Sequence, residues 1–158
     1  MRKILYILIV LLFAIILLLS GHNVAAKPKI EEPVKVQQDP TEKVVAYLNK
    51  KSSPLSDKEV NLLVKQKHWK LLIAISAIES QYCKRQKYFN CWGIGGDHAY
   101  RKYKNFSEAI VDANDLIERW QKKEKWLTVE SMNCSYVVPC NPNWVNVVNF
   151  VLKQLNEI

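Results

Sequence analysis

Three regimes of polar and apolar residues follow one another along the chain. Ile4 to Leu19 is apolar without a break, and Lys27 to Pro40 mixes prolines with charged and amide side chains. From Thr41 onward, apolar residues recur at the three-and-four spacing of amphipathic helices. In this last regime Thr41 opens a helix over Glu42–Lys50, with Val44, Val45 and Leu48 as its stripe. Ser56-Asp57-Lys58-Glu59 has the form of a capping box and predicts a helix to about Lys67. Trp69 to Ile78 is apolar nearly all round, which places that helix at the centre of the domain. Asn105 or Ser107 caps a helix to about Gln121, along which Phe106, Ala109, Ile110, Ala113, Leu116, Ile117 and Trp120 share a face. Thr128 starts a short turn of helix. Asn141-Pro142 is a cap followed by a first-turn proline, opening Asn143–Leu155. The expected class is all-α, α+β at most, with a small loop or hairpin lobe near Gly93–Tyr103 where Gly93, Gly95 and Gly96 gather.

Arg2 and Lys3 before the apolar run give residues 1–26 the form of an export segment. Ile4–Leu19 stands in length between a signal core and a bilayer span, and Val24-Ala25-Ala26 supplies the small residues of a cleavage site. A cleaved signal peptide and a membrane anchor both stay open. Either puts the chain from Lys27 onward outside the cytoplasm. Residues 27–40 hold three of the six prolines and read as an extended spacer, reaching roughly 40 Å at about 3.1 Å per residue. Residues 41–158 then form one domain, too short for a large barrel or a doubly wound sheet with a second domain.

Composition and charge sharpen this picture. The 158 residues are 49% apolar and 24% charged, which is globular rather than disordered. Of the formal net charge of +8, two positive charges belong to the leader. Export argues against a nucleic-acid partner for the rest. All four cysteines, Cys83, Cys91, Cys134 and Cys140, lie in the exported part, where an even number points to disulfides. Three pairings are open. The local one, Cys83–Cys91 with Cys134–Cys140, fits the short loops best, each bridge contributing about 2.5 kcal/mol. A zinc site is disfavoured, because paired ligands two to four residues apart are missing. A nucleophilic Cys91–His98 pair in one loop is a further alternative and would make the protein a wall peptidase or amidase. No metal or cofactor is expected.

Glu79 is the candidate for chemistry. It follows ten residues of which only Lys70 and Ser76 are not apolar, so it leaves the core as the helix ends. Partial burial and the negative end of the helix dipole both push its pKa upward. A carboxylic acid protonated near neutral pH can donate its proton to a glycosidic oxygen.

The surrounding motifs carry a resemblance. Leu71-Leu72-Ile73-Ala74-Ile75-Ser76-Ala77-Ile78-Glu79-Ser80 resembles the catalytic helix of the lysozyme-like superfamily, which includes lytic transglycosylases and bacterial cell-wall glucosaminidases. Asn90-Cys91-Trp92-Gly93-Ile94-Gly95-Gly96 is similar to the Asn-x-x-Gly-Ile-x-Gly segment of the glucosaminidase branch. Tyr100-Arg101-Lys102-Tyr103 followed by Phe106-Ser107-Glu108-Ala109-Ile110 resembles the stretch after it, and Asn141-Pro142-Asn143-Trp144-Val145 the closing helix. Leu48 to Leu55 looks like the lead-in helix pair of small exported members.

The resemblance implies a lysozyme-like helical domain preceded by the hydrophobic segment and linker. It implies Glu79 as general acid and peptidoglycan glycan strands as partner, with cleavage of glucosaminidase, lysozyme or lytic transglycosylase type. Ser80, Trp92, Gly93, Ile94, Tyr100 and Tyr103 would line the sugar groove, where flat aromatic faces pack on sugar rings. A second carboxylate is harder to place. Glu108, Asp112 and Asp115 fall off the apolar stripe and are expected to face solvent, Asp115 pairing with Arg119. Asp97, in the glycine loop, is the best placed. A lytic transglycosylase manages with one acid, because a hydroxyl or N-acetyl group of the substrate attacks. Lys84, Arg85, Lys87, Arg101, Lys102 and Lys104 flank the proposed groove and would attract the carboxylates and phosphates of wall polymers. The alternative is a catalytically silent lysozyme-like module that binds glycan or scaffolds a complex.

Overall fold

The computed structural model describes residues 39–96, 99–123 and 125–158. The expected export segment, most of the linker, Asp97 and His98 lie outside the described residues. Six helices follow in order: α1 (Thr41–Lys50), α2 (Asp57–Val64), α3 (Trp69–Ser80), α4 (Phe106–Lys122), α5 (Val129–Tyr136) and α6 (Pro142–Asn156). Between α3 and α4 lie two antiparallel two-residue strands, β1 (Gly95–Gly96) and β2 (Ala99–Tyr100), with Gly95 opposite Tyr100. Apart from this hairpin and an isolated bridge between Lys87 and Asn90, the regular structure of the described residues is helical.

The helix ends show why each element stops where it does. Helix α1 starts one residue earlier than expected, at Thr41, with Pro40 in the cap position. Asp39 Oδ1 accepts from Thr41 N at 2.9 Å. At α2 the capping box forms, the Glu59 carboxylate accepting from Ser56 N and the Ser56 hydroxyl from Glu59 N. The helix closes at Val64 rather than Lys67, because Gln66 N turns back to the Leu63 carbonyl. Asn105, not Ser107, caps α4. Thr128 caps α5 and Asn141 caps α6, with Pro142 in its first turn.

Helix α3 is the axis of the domain. It packs most extensively on α6 and also touches α2 and α4, which explains why its sequence has no polar face. Leu72, Ile73, Ala74 and Ile75 on α3 are buried, together with Val148, Val151 and Leu155 of α6 and Ala109, Ile110 and Ala113 of α4. The helix stops at Gln81, which takes a left-handed conformation, as do Tyr82 and Cys83. That reversal throws the chain out of the core one residue after Ser80.

Cys83 pairs with Cys91, and Cys134 with Cys140. The first bridge fastens the loop after α3, and the second joins the end of α5 to the start of α6. With all four thiols oxidised, no cysteine nucleophile remains, and none is available as a zinc ligand.

Candidate active site

The turn after α3 is held from below by two side chains. Ser80 is buried at the last position of the helix; its hydroxyl donates to the Cys91 carbonyl at 2.7 Å and accepts from Cys83 N at 3.1 Å. Ser80 therefore locks the helix end to the disulfide loop. Asn90 does the same for the glycine turn. Its Oδ1 accepts from Ile94 N at 3.0 Å and Trp92 N at 3.3 Å, and its Nδ2 donates to the Ile94 carbonyl at 2.6 Å. One buried amide thus satisfies the backbone of a turn that would otherwise leave polar groups orphaned.

That turn delivers Gly93 to the Glu79 side chain. Gly93 has φ +63°, and a Cβ there would lie 3.0 Å from Glu79 Oε2. On the other side, Trp144 Nε1 donates to Glu79 Oε1 at 2.8 Å. Trp144 is 2% exposed, so this donor cannot swing away. The carboxyl is clamped between an indole and a glycine backbone, with one side of Glu79 still open to solvent. Desolvation raises its pKa above the ordinary glutamate value, and the Trp144 bond, which favours the anion, pulls partly against that rise.

Two cavities meet at Gly93. One, about 110 Å³, is lined by Glu79, Ser80, Arg85, Lys87, Asn90, Gly93 and Tyr100. The other, about 290 Å³, runs from Gly93 past Ile94, Gly95 and Arg101 to Leu116, Trp120, Trp126 and Tyr136. Aromatic rings follow one another behind this second cavity. Trp120 stacks on Trp126 at 5.0 Å between centroids, and Tyr136 lies 5.5 Å from both Trp126 and Trp144. The Tyr136 hydroxyl donates to the Trp92 carbonyl; burial, and then the Glu79 charge, raise its pKa well above the ordinary phenol value.

The expected site residues divide by this geometry. Glu79, Ser80, Gly93, Ile94 and Tyr100 come together around the cleft. Trp92 does not wall it: the ring is 1% exposed and its Nε1 donates to the Leu72 carbonyl of α3 at 2.9 Å, so it is a core residue under the turn. Tyr103 is likewise turned away, because its hydroxyl donates to Asp112 Oδ2 at 2.7 Å. Asp112, expected in solvent, is half-buried and also takes Arg101 at 2.6 Å. Burial pushes its pKa up, but these two donors outweigh that and hold it below the ordinary value. Asp115 is exposed and forms no ion pair with Arg119. Glu108 accepts from Lys104 N at 2.8 Å at the start of α4. Asp97 lies outside the described residues.

Trp144, Asn90, Trp120, Trp126 and Tyr136 were not among the expected site residues. The Asn-Pro-Asn-Trp and Asn-x-x-Gly motifs contained the first two, but spacing alone could not reveal that an indole on α6 meets a carboxyl on α3. A larger cavity, about 670 Å³, lies at the other end of α3 beside Lys67, Trp69 and Leu127. Its one lining carboxylate among the described residues, Glu130, is held below the ordinary pKa by its own backbone amide, Asn149 and Thr128, so it has no proton to give. The Glu79 carboxyl opens instead onto the smaller cleft.

No family model, curated protein or solved structure matches the chain.

Proposed function

We propose that this protein is an exported glycosidase that cleaves the glycan strands of peptidoglycan, with Glu79 as general acid. The observation that carries the reading is the Glu79 clamp. A partly desolvated carboxyl with a raised pKa opens onto a cleft and is oriented by a buried indole donor. Such an acid stays protonated at a pH where an ordinary glutamate is ionised and can hand its proton to a leaving oxygen. The aromatic-lined cavity beyond Gly93 offers apolar faces on which sugar rings can lie. Two disulfides suit a domain that works in an oxidising compartment.

No second carboxylate lines the two cavities among the described residues. Asp112 is engaged by Arg101 and Tyr103, and Glu108 by the backbone of Lys104. Glu79 alone suffices for a one-acid mechanism of the lytic transglycosylase type, the form of the reaction proposed. Glu79 protonates the glycosidic oxygen, the bond to the leaving sugar breaks, and a hydroxyl of the same sugar attacks the anomeric carbon, either directly or by displacing an N-acetyl oxygen that attacked first. Glu79, now a carboxylate, takes up the proton that the attacking hydroxyl releases. Glu79→Gln tests the reading: it keeps an acceptor for Trp144 Nε1 but has no proton to give, so wall-clearing activity should fall by roughly 10²–10⁴-fold. Activity that survives the change would remove Glu79 from the mechanism. A wild-type protein that binds glycan without cleaving it would instead be the silent module.

A further inference from the structure

The basic residues near the cleft are used in different ways. Arg101 is occupied by Asp112 at 2.6 Å, and Lys102 lies over the Tyr88 ring at 4.8 Å. On the far side of the domain, Glu118 gathers Lys67, His68 and Lys122. Arg85 and Lys87 are different. They line the same cavity as the Glu79 carboxyl, and neither has an ion-pair partner among the described residues. Two cations in one concave cleft focus positive potential on whatever enters it.

Their backbone is not free to drift. Arg85 N donates to the Ser80 carbonyl at 2.9 Å, and Asn90 N to the Lys87 carbonyl at 3.0 Å. The Cys83–Cys91 bridge closes the loop around both. The two positions are therefore tied at one end to the helix that carries Glu79 and at the other to the amide that holds the Gly93 turn. Nor do the cations serve Glu79 itself. A cation paired with that carboxyl would keep it ionised and defeat its use as an acid, whereas its titration is governed by burial and Trp144.

We infer that the cavity lined by Arg85, Lys87 and Tyr100 is an anion subsite, holding a carboxylate or phosphate carried by the sugar next to the bond that Glu79 protonates. The inference rests on the glycosidase reading and narrows it to acidic strands rather than neutral ones. Arginine forks onto two oxygens of either group and lysine adds a point charge. A neutral polymer of N-acetylglucosamine would leave both cations solvated and gain nothing from them. The anion has two possible sources on a wall strand: an acidic peptide appended to the sugar, or a phosphate ester on it.

The test uses the full chain carrying Glu79→Gln, so that binding is read without cleavage. Calorimetry follows its titration with three soluble tetrasaccharides: neutral N-acetylglucosamine, a peptide-bearing form and a 6-phosphorylated form. At least one anionic ligand should bind about tenfold or more tightly than the neutral one, and whichever binds more tightly identifies the source. Arg85→Gln combined with Lys87→Gln should bring the anionic ligands down to the affinity of the neutral one. Equal affinity for all three, or an anionic margin that survives the double substitution, overturns the subsite. Absence of binding by any of the three, charged or neutral, overturns the glycosidase reading beneath it as well.

Discussion

Gly93→Ala is the change whose consequence can be worked furthest from the structure. The added methyl would sit 3.0 Å from Glu79 Oε2 and 3.7 Å from its carboxyl carbon, on a backbone with φ +63°. The left-handed conformation alone costs alanine about 1–2 kcal/mol. Relief of the contact requires the carboxyl to retreat by about 0.4 Å to an ordinary van der Waals separation. Retreat is opposed on the other side by Trp144 Nε1 at 2.8 Å, on a ring that the core holds in place. With an unfolding entropy of about 2.1 cal/mol/K per residue over roughly 120 residues, 1–2 kcal/mol lowers Tm by about 4–8 °C. A misplacement of 1 Å costs about 10²-fold in rate, so a shift of a few tenths should cost roughly tenfold. Calorimetric melting and release of soluble fragments from peptidoglycan, assayed well below both melting temperatures, check the two numbers. A double-mutant cycle with Glu79→Ala separates strain from contact, because only the contact disappears when the carboxyl is gone. Strict additivity in Tm, together with an unchanged rate for Gly93→Ala, would refute the claim that this glycine sets the position of the acid.

Glu79→Gln should also stabilise the fold at neutral pH. A glutamate whose folded pKa is raised contributes its full stability below the unfolded value near 4.5 and loses it as pH rises through the folded one, so the variant should melt higher at pH 8 and the same at pH 4. For the same reason wild-type activity should fall as pH rises through the Glu79 pKa. Trp144→Phe removes the donor that favours the anion, so the alkaline limb of that profile should move to higher pH, with a stability loss of about 1–3 kcal/mol from the buried site. Glu118 shows the opposite linkage. Lys67 first, and then His68, draw its pKa down to about 2, so its contribution is present above 4.5 and is lost as pH falls toward 2. Glu118→Gln should therefore lower Tm at pH 6 and leave it unchanged at pH 2. Replacing Cys83 and Cys91 together by serine should cost about 2–3 kcal/mol in denaturant unfolding and reduce turnover further, because the loop bearing Arg85, Lys87 and Asn90 loses its closure.

The helices were legible wherever a local signal decides them. Ser56, Thr128 and Asn141-Pro142 announce helix starts through bonds made within three residues, and the structure places those starts there. The centrality of α3 followed from its lack of a polar face. Short loops favour the local cysteine pairing among three, and it is the one that forms. What the sequence could not disclose depends on meetings between distant residues. Trp144 lies 65 positions from Glu79, and nothing local distinguishes it from an ordinary core tryptophan. Trp92 shows the converse: an aromatic beside a glycine turn looks like a groove wall, yet its neighbour Asn90 draws the backbone inward and buries the ring beneath α3. Asp112 lies off the apolar stripe of α4, but the β2 strand and the residues after it fold back over that flank and supply Arg101 and Tyr103. Side-chain periodicity describes one helix at a time and is silent about such coverage.

Whether Glu79 cleaves glycan strands is decided by mass spectrometry of purified peptidoglycan digested by the wild-type chain and by Glu79→Gln. The wild-type chain should release disaccharide-containing fragments cut at one type of β-1,4 bond, carrying the anhydro end of intramolecular attack, and the variant none at equal concentration. Fragments cut only in the peptides, or an identical digest from both proteins, would contradict cleavage by Glu79.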